Sequence, residues 1–294
     1  MSSVRVTNWT LAAAAAAAAF IGCFTAHGQQ ITQPEHGRFH HVHLNVTDTA
    51  KTSAFYERVF GVTPTKYRGV GPALMADRAF IFLSQPAAPI ASQLQTGLIH
   101  IGWGGVDAKG EFEWWKSQGL EFYTPLTQVG DWSFFYLYGP DREVIEIYTM
   151  EKHHRFNHVH MLATDPNATA EWFAKVINSE SPVTSEPLGV GPTKISTVDL
   201  GDVGLHVLPD IGPLRPRERT GAMQNTDGSG IDHIAISFRD LNAAFARIKA
   251  AGIRIERPIS MDAAFRVKSF FVRAPNGVLV ELVEAKPLPE AAWE

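Results

Sequence analysis

His41-Val42-His43-Leu44-Asn45-Val46-Thr47-Asp48 is an alternating run, rich in β-branched residues, that ends in an aspartate and leads into the helical-looking segment Thr49–Phe60. On a strand, His41, His43 and Asn45 share one face, while Val42, Leu44 and Val46 share the other. The pattern returns along the chain. Arg155 to Asp165 repeats Arg38 to Asp48 almost residue for residue, and His100 to Asp107 and His233 to Asp240 keep the same interval of seven residues from His to Asp. Four such openings read as one supersecondary unit used four times.

Working outward, each opening leads into a segment of helical periodicity: Thr49–Phe60, with Ala54, Phe55, Val59 and Phe60 as its apolar face, then Gly110–Gln118, Asn167–Ile177 and Leu241–Ala250. Short strand-like runs follow each helix, separated by turn residues such as Gly69-Val70-Gly71-Pro72, Gly139-Pro140-Asp141-Arg142, Gly189-Val190-Gly191-Pro192 and Ala274-Pro275-Asn276-Gly277. Each unit therefore reads strand, helix, three strands. The offsets between corresponding residues, 117 from His41 to His158, 133 from His100 to His233 and 135 from Glu146 to Glu281, mark a duplication with loop insertions. The boundary falls in Glu151–Arg155, giving halves 37–150 and 155–286 of two units each. Pro209–Gly230 is rich in Pro, Arg and Gly and has no periodicity; it reads either as a lid whose Arg215, Arg217 and Arg219 meet an anionic substrate or as a solvated connection.

A net charge of -4 without a basic cluster gives no electrostatic reason for a nucleic-acid partner. The first residues read as a secretory signal, with Arg5 before an Ala-rich run from Leu11 to Phe24 that is too short for a membrane span. Cleavage after Gly28 makes 1–28 a signal peptide. The alternative is a lipid anchor at Cys23, within the lipobox-like Phe20-Ile21-Gly22-Cys23. Either route implies export, to a periplasm or beyond, and a lone cysteine supplies no disulfide framework.

Two histidines and a carboxylate occur once in each half: His41, His100 and Glu146, then His158, His233 and Glu281. Each Glu interrupts an apolar strand, Val144-Ile145-Glu146-Ile147-Tyr148 and Leu279-Val280-Glu281-Leu282-Val283, where an unpaired charge is expensive to bury. A divalent metal accounts for both, because two imidazoles and a carboxylate leave coordination positions for water or substrate.

These residues carry a resemblance. The His-to-Asp openings and the closings Pro140 to Glu146 and Pro275 to Glu281 resemble the vicinal oxygen chelate superfamily, which includes glyoxalases, bleomycin-resistance proteins and ring-cleaving dioxygenases, over about Phe39 to Glu284. The resemblance implies an α+β fold of four βαβββ units in two glyoxalase-like domains, with curved mixed sheets around sites where a divalent metal (zinc, manganese, nickel or ferrous iron) chelates two neighbouring oxygens of a small substrate. Units pair within each half or one with four and two with three; the latter groups His41 with His233 and Glu281, and His158 with His100 and Glu146. His43 and His160, two positions beyond the presumed ligands on the same strand face, are candidate acid or base groups. His206 sits where glyoxalase-like members place a further ligand, and the first unit has Phe82 there. Tyr136 resembles the Tyr of the ring-cleaving signature, although no upstream His accompanies it near Thr127 and the second half has Phe271 in its place. Lyase or isomerase chemistry is the leading expectation, with an extradiol-type Fe(II) dioxygenase and a non-catalytic small-molecule binder as alternatives.

Overall fold

The computed structural model describes residues 35–188 and 193–286. The proposed signal segment with Cys23 and the turn Gly189–Pro192 lie outside the described residues. Unit one contains β1 (Arg38–Asn45), α1 (Thr49–Phe60), β2 (Thr63–Tyr67), β3 (Gly71–Ala76) and β4 (Ala79–Ser84). Unit two contains β5 (Leu98–Gly104), α2 (Ala108–Ser117), β6 (Phe122–Val129), β7 (Trp132–Tyr138) and β8 (Val144–Tyr148). In unit three are β9 (Phe156–Ala163), α3 (Pro166–Ile177), β10 (Thr184–Pro187), β11 (Lys194–Asp199) and β12 (Gly204–Pro209). Unit four has β13 (Ile231–Phe238), α4 (Leu241–Ala250), β14 (Ile255–Asp262), β15 (Val267–Arg273) and β16 (Leu279–Glu284).

The recurring aspartate has a local cause. Asp48, Asp107, Asp165 and Asp240 are the N-caps of the four helices, and each carboxylate accepts backbone N–H bonds from the first turn. Such a cap is worth about 1 kcal/mol and fixes where the strand gives way to the helix. The His-to-Asp interval is therefore the length of chain from a mid-strand position to a helix start.

Two eight-stranded, curved mixed sheets result, and each draws on both sequence halves. Sheet I runs β14-β15-β16-β13-β1-β4-β3-β2 and sheet II runs β10-β11-β12-β9-β5-β8-β7-β6. Units one and four share sheet I; units two and three share sheet II. At each centre the first strands of two units pair antiparallel, with His43 opposite His233 across β1 and β13 and His100 opposite His160 across β5 and β9. Each first strand also pairs parallel with the last strand of its own unit.

Strand alternation divides the faces. Val42, Leu44, Ile101, Val159, Met161, Ile234 and Ile236 enter one apolar core that runs through both sheets and all four helices. The histidines take the opposite face. Each fully buried aliphatic side chain contributes about 1.5–3 kcal/mol, so a slip of one residue in register, which would send the histidines into that core, is strongly disfavoured. The buried face of α1 differs from the sequence expectation: Thr52 and Tyr56 are buried, Ala54 is exposed, and Phe55, Val59 and Phe60 are only half-buried. The reason is Tyr56, whose hydroxyl donates to buried Glu143 at 3.0 Å and so carries a polar group into the core already satisfied.

Pro209–Gly230 docks on the body of the protein. Arg219 is buried, meets Asp210 at 3.1 Å and donates to the Thr96 carbonyl at 3.3 Å, while Arg215 donates to the Gly221 carbonyl. Leu214 and Met223 join a small apolar cluster with Ile99, Leu162 and Leu208. Two of the three arginines thus secure the loop itself.

Candidate metal centres

The crossed sets of candidate ligands come together. In sheet I, Glu281 Oε2 lies 3.2 Å from His41 Nε2 and 3.4 Å from His233 Nε2. In sheet II, Glu146 Oε2 lies 2.8 Å from His158 Nε2, 3.1 Å from His100 Nε2 and 3.7 Å from His160 Nδ1. The within-half sets, His41 with His100 and His158 with His233, are in different sheets. All six triad residues are buried.

Residues immediately before three of the candidate ligands aim their rings. His233 Nδ1 donates to Asp232 Oδ1 at 2.6 Å, and Asp232 Oδ2 accepts from the Gly228 N–H at 2.7 Å. His158 Nδ1 donates to Asn157 Oδ1 at 2.7 Å. His41 Nδ1 shares a proton with His40 Nδ1 at 2.8 Å, and His40 Nε2 reaches the Tyr67 hydroxyl at 3.2 Å. In each case the outer nitrogen is hydrogen-bonded, which fixes the ring with Nε2 turned toward the carboxylate. That is the arrangement by which metal-binding histidines are held.

The electrostatics favour a cation. Burial works against ionising Glu146 and Glu281, but the surrounding imidazoles overcome it and hold both well below the usual carboxylate range. Burial pushes His41, His43, His100 and His160 down, and takes His206 to about 3, so these rings are neutral. His233 goes the other way. Burial opposes its charged form, yet contact with Asp232 and Glu281 lifts it to about 9. It supplies the positive charge that a metal ion would otherwise bring to Glu281. His41 Nε2, His233 Nε2 and His160 Nδ1 are also buried with no hydrogen-bond partner. The unsatisfied His41 and His233 nitrogens beside ionised Glu281 fit a divalent ion, which would satisfy both at once.

The sequence candidates beyond the triads are placed unequally. His160 joins the donors around Glu146, and His43 lies with His41 and His233. The Tyr136 ring is 4.9 Å from that of His100, and burial, followed by the charge of Glu146 and the hydrogen bond Tyr136 donates to it, raises its hydroxyl well above the usual range. His206, expected as a ligand, falls outside the group of converging donors; its Nδ1 meets Thr197 Oγ1 at 2.9 Å. The ring remains beside His160, with centroids 5.0 Å apart. Asp232, Asn157 and His40 were not singled out from sequence, although a polar residue directly before three of the four strand histidines was there to be seen.

A model of the Glyoxalase/Bleomycin resistance protein/Dioxygenase superfamily matches residues 38–147 and 155–282. The chain belongs to this superfamily. Among solved structures, glyoxalase I from Zea mays is similar at 17% identity and a TM-score of 0.66, covering 84% of this chain and 92% of its own. A putative dioxygenase from Bacillus subtilis subsp. subtilis str. 168 is similar at 15% identity and a TM-score of 0.62, covering 88% of each chain. These likenesses show the superfamily fold. A search of curated protein sequences found no significant match. Among the described residues no helix is long and apolar enough to cross a membrane.

Proposed function

We propose that sheet II carries the reactive centre of a divalent-metal-dependent enzyme, which takes a small molecule with two neighbouring oxygens through lyase or isomerase chemistry. The observation that carries this reading is His160 Nδ1, buried, unpartnered and 3.7 Å from the Glu146 oxygen that already meets two other histidines. His158, His100 and Glu146 would hold the metal. When bound, it would polarise a carbonyl chelated through adjacent oxygens. His160 takes a proton from the neighbouring carbon and returns it, acting as a neutral imidazole base. Tyr136, paired with Glu146 across β7 and β8, stands beside His100, while Asn157 fixes His158. Half-buried Trp132, Phe134, Tyr136 and Tyr138 alternate along β7 on the same face and offer an aromatic surface to the rest of the substrate.

One observation favours a second reading, a ring-cleaving dioxygenase using ferrous iron: a tyrosine hydroxyl stands against the metal-binding carboxylate, as in the ring-cleaving signature. Against it, Thr127 stands where that signature has a histidine, and β6 pairs it with Phe134. Export from the cytoplasm, by cleavage after Gly28 or lipidation at Cys23, belongs to the same proposal and favours zinc or manganese over ferrous iron. N-terminal sequencing of the exported protein decides between the two routes.

The deciding experiment is anaerobic metal analysis followed by assays with a 2-oxoaldehyde hemithioacetal and with a catechol under oxygen. Turnover of the first, lost in His160→Asn at unchanged metal content, is the expected result. Oxygen uptake with the catechol would move the assignment to the dioxygenase, and metal without turnover of either would leave a binding protein. His100→Ala should abolish activity while His233→Ala leaves a measurable part, since the two residues serve different centres.

A further inference from the structure

Sheet I differs from sheet II at three positions that face its histidines. Tyr136 and Phe271 occupy equivalent registers opposite Glu146 and Glu281, and the same offset of 135 residues sets Phe265 against Gly130. The parallel pairings set Phe82 beside His43 as His206 is set beside His160. Phe82 stacks on His41 with centroids 3.9 Å apart, and Phe265 stacks on Phe82 at 4.4 Å with the rings 4° from parallel. Both phenylalanines are at most 2% exposed. Gly71 makes the room, since a Cβ there would stand 2.1 Å from the Phe265 ring. In sheet II the corresponding Gly130 has nothing within 4 Å of where its Cβ would be, and His206 replaces the inner ring.

His43 is also fixed differently from His160. His43 Nε2 is bonded to Ser84 Oγ at 2.8 Å, and its ring lies 4.6 Å from that of His233. A nitrogen from each of His41, His43 and His233 lies within 4.8 Å of the other two, and Glu281 meets His41 and His233 but falls outside that trio. With Ser84 accepting the Nε2 proton, Nδ1 of His43 is left as a lone-pair donor. In sheet II the residue corresponding to Ser84 is Leu208, and His160 has no such anchor.

We propose that the sheet I centre is a sealed structural metal site, held by His41, His233 and Glu281 with His43 converging on the two histidines, closed over by Phe82 and Phe265, and that it staples the first repeat to the fourth. Structural zinc sites keep no open position, whereas catalytic sites keep one for water or substrate, and in sheet I the stacked Phe82 and Phe265 stand over the histidines. The ligands come from β1 at one end of the chain and from β13 and β16 at the other, so the ion ties together strands that no disulfide within the chain can join: the only cysteine is Cys23. Binding free energy at such a site is folding free energy. The ion is a divalent cation that accepts three imidazoles and a carboxylate, zinc being the natural probe.

The inference rests on the reading that the His/Glu clusters hold metal, and its test separates the two. The full mature chain is loaded with zinc, the ion is withdrawn by a chelator with a zinc-responsive dye, and the melting temperature is recorded as each equivalent leaves. Supporting or realigning a ligand changes metal affinity by about 10–100-fold, so one equivalent should leave at least about tenfold more slowly than the other. Glu146→Gln should keep the slow equivalent and Glu281→Gln the fast one. Only loss of the slow equivalent should lower the melting temperature, by roughly 10 °C. Phe265→Gly, which leaves every ligand in place, should speed the slow release. Equal release rates, equal thermal shifts for either equivalent, or a slow equivalent that survives Glu281→Gln would each overturn the staple. If Glu146→Gln leaves zinc binding unchanged as well, the metal-dependent function falls with it; if only the Glu281 arm fails, that function stands. Should Glu281→Gln not fold, the release and melting data on the unmodified chain and on Phe265→Gly decide.

Discussion

Gly102→Ala puts a single methyl group against the sheet II centre. Gly102 pairs with His158 across β5 and β9 and with Glu146 across β5 and β8, so its backbone is held from both sides. A Cβ on Gly102 would stand 1.9 Å from His158 Cε1 and 2.1 Å from His158 Nε2. Restoring ordinary contact at about 3.4 Å requires the ring to retreat by about 1.5 Å. Metal–ligand distances tolerate about 0.2 Å, so His158 would cease to be a ligand. Because altering a residue that merely supports a ligand costs 10–100-fold in affinity, loss of the ligand itself should cost at least about 100-fold at this centre. The overpacking costs the fold about 1–3 kcal/mol. The assay is a zinc competition titration with circular dichroism on the same samples: one equivalent should weaken, the other should not, and the spectrum should persist. The counterpart opposite His41 is Ala235, so the same methyl is already tolerated where His41 stacks on Phe82. Gly102→Ala binding both equivalents as tightly as the parent would refute the reasoning.

Burial raises Glu143 to about 7 despite the hydrogen bonds it accepts from Tyr56 and the Asp141 backbone, and neighbouring Asp141 adds to the rise. The folded state thus holds a proton that the unfolded chain releases near 4.5; this contribution is complete below that pH and is lost as pH climbs to 7, on the order of 3 kcal/mol in all. Thermal melts of Glu143→Gln should lack that component of the decline between pH 5 and 7.5, and parallel pH profiles for parent and variant would contradict it. Arg219→Ala leaves half-buried Asp210 unpaired and should cost about 2 kcal/mol, with faster proteolytic nicking between residues 209 and 230 as the visible sign. Unchanged nicking would show that the apolar contacts of Leu214 and Met223 alone hold the loop. Residues 35–152 and 153–286 produced separately should give no cooperatively folding monomer, since each lacks the partner unit of both sheets, and should assemble when produced together; a cooperative monomeric melt of either half would count against the crossed architecture.

Much of this was written in local pattern. The alternation from His41 to Val46 and the caps at Asp48, Asp107, Asp165 and Asp240 define four units, because side-chain period and capping act over a few residues. The six triad residues were legible for the same reason: a Glu inside Val144–Tyr148 or Leu279–Val283 has to meet something charged. The pairing of units was not, since either arrangement sets the same residue types on the same strand faces, and only the long-range pairing of β1 with β13 and of β5 with β9 distinguishes them. Phe265 lies in a turn without periodicity, so its stacking on Phe82 left no mark in the pattern. The displacement of His206 depends on a hydroxyl from the neighbouring strand, Thr197, and the inward turn of Tyr56 depends on Glu143 in a different unit. Each of these is a contact between residues far apart in sequence or a choice of side-chain direction.

The central claim, two metal centres built across the sequence halves, is tested most directly by anomalous diffraction at the zinc absorption edge from crystals of the zinc-loaded protein. Two peaks are expected, one bounded by His158, His100 and Glu146 and the other by His41, His233 and Glu281. A map with no peak beside Glu146 or Glu281, or with zinc only at surface histidines such as His153 and His154, would contradict it.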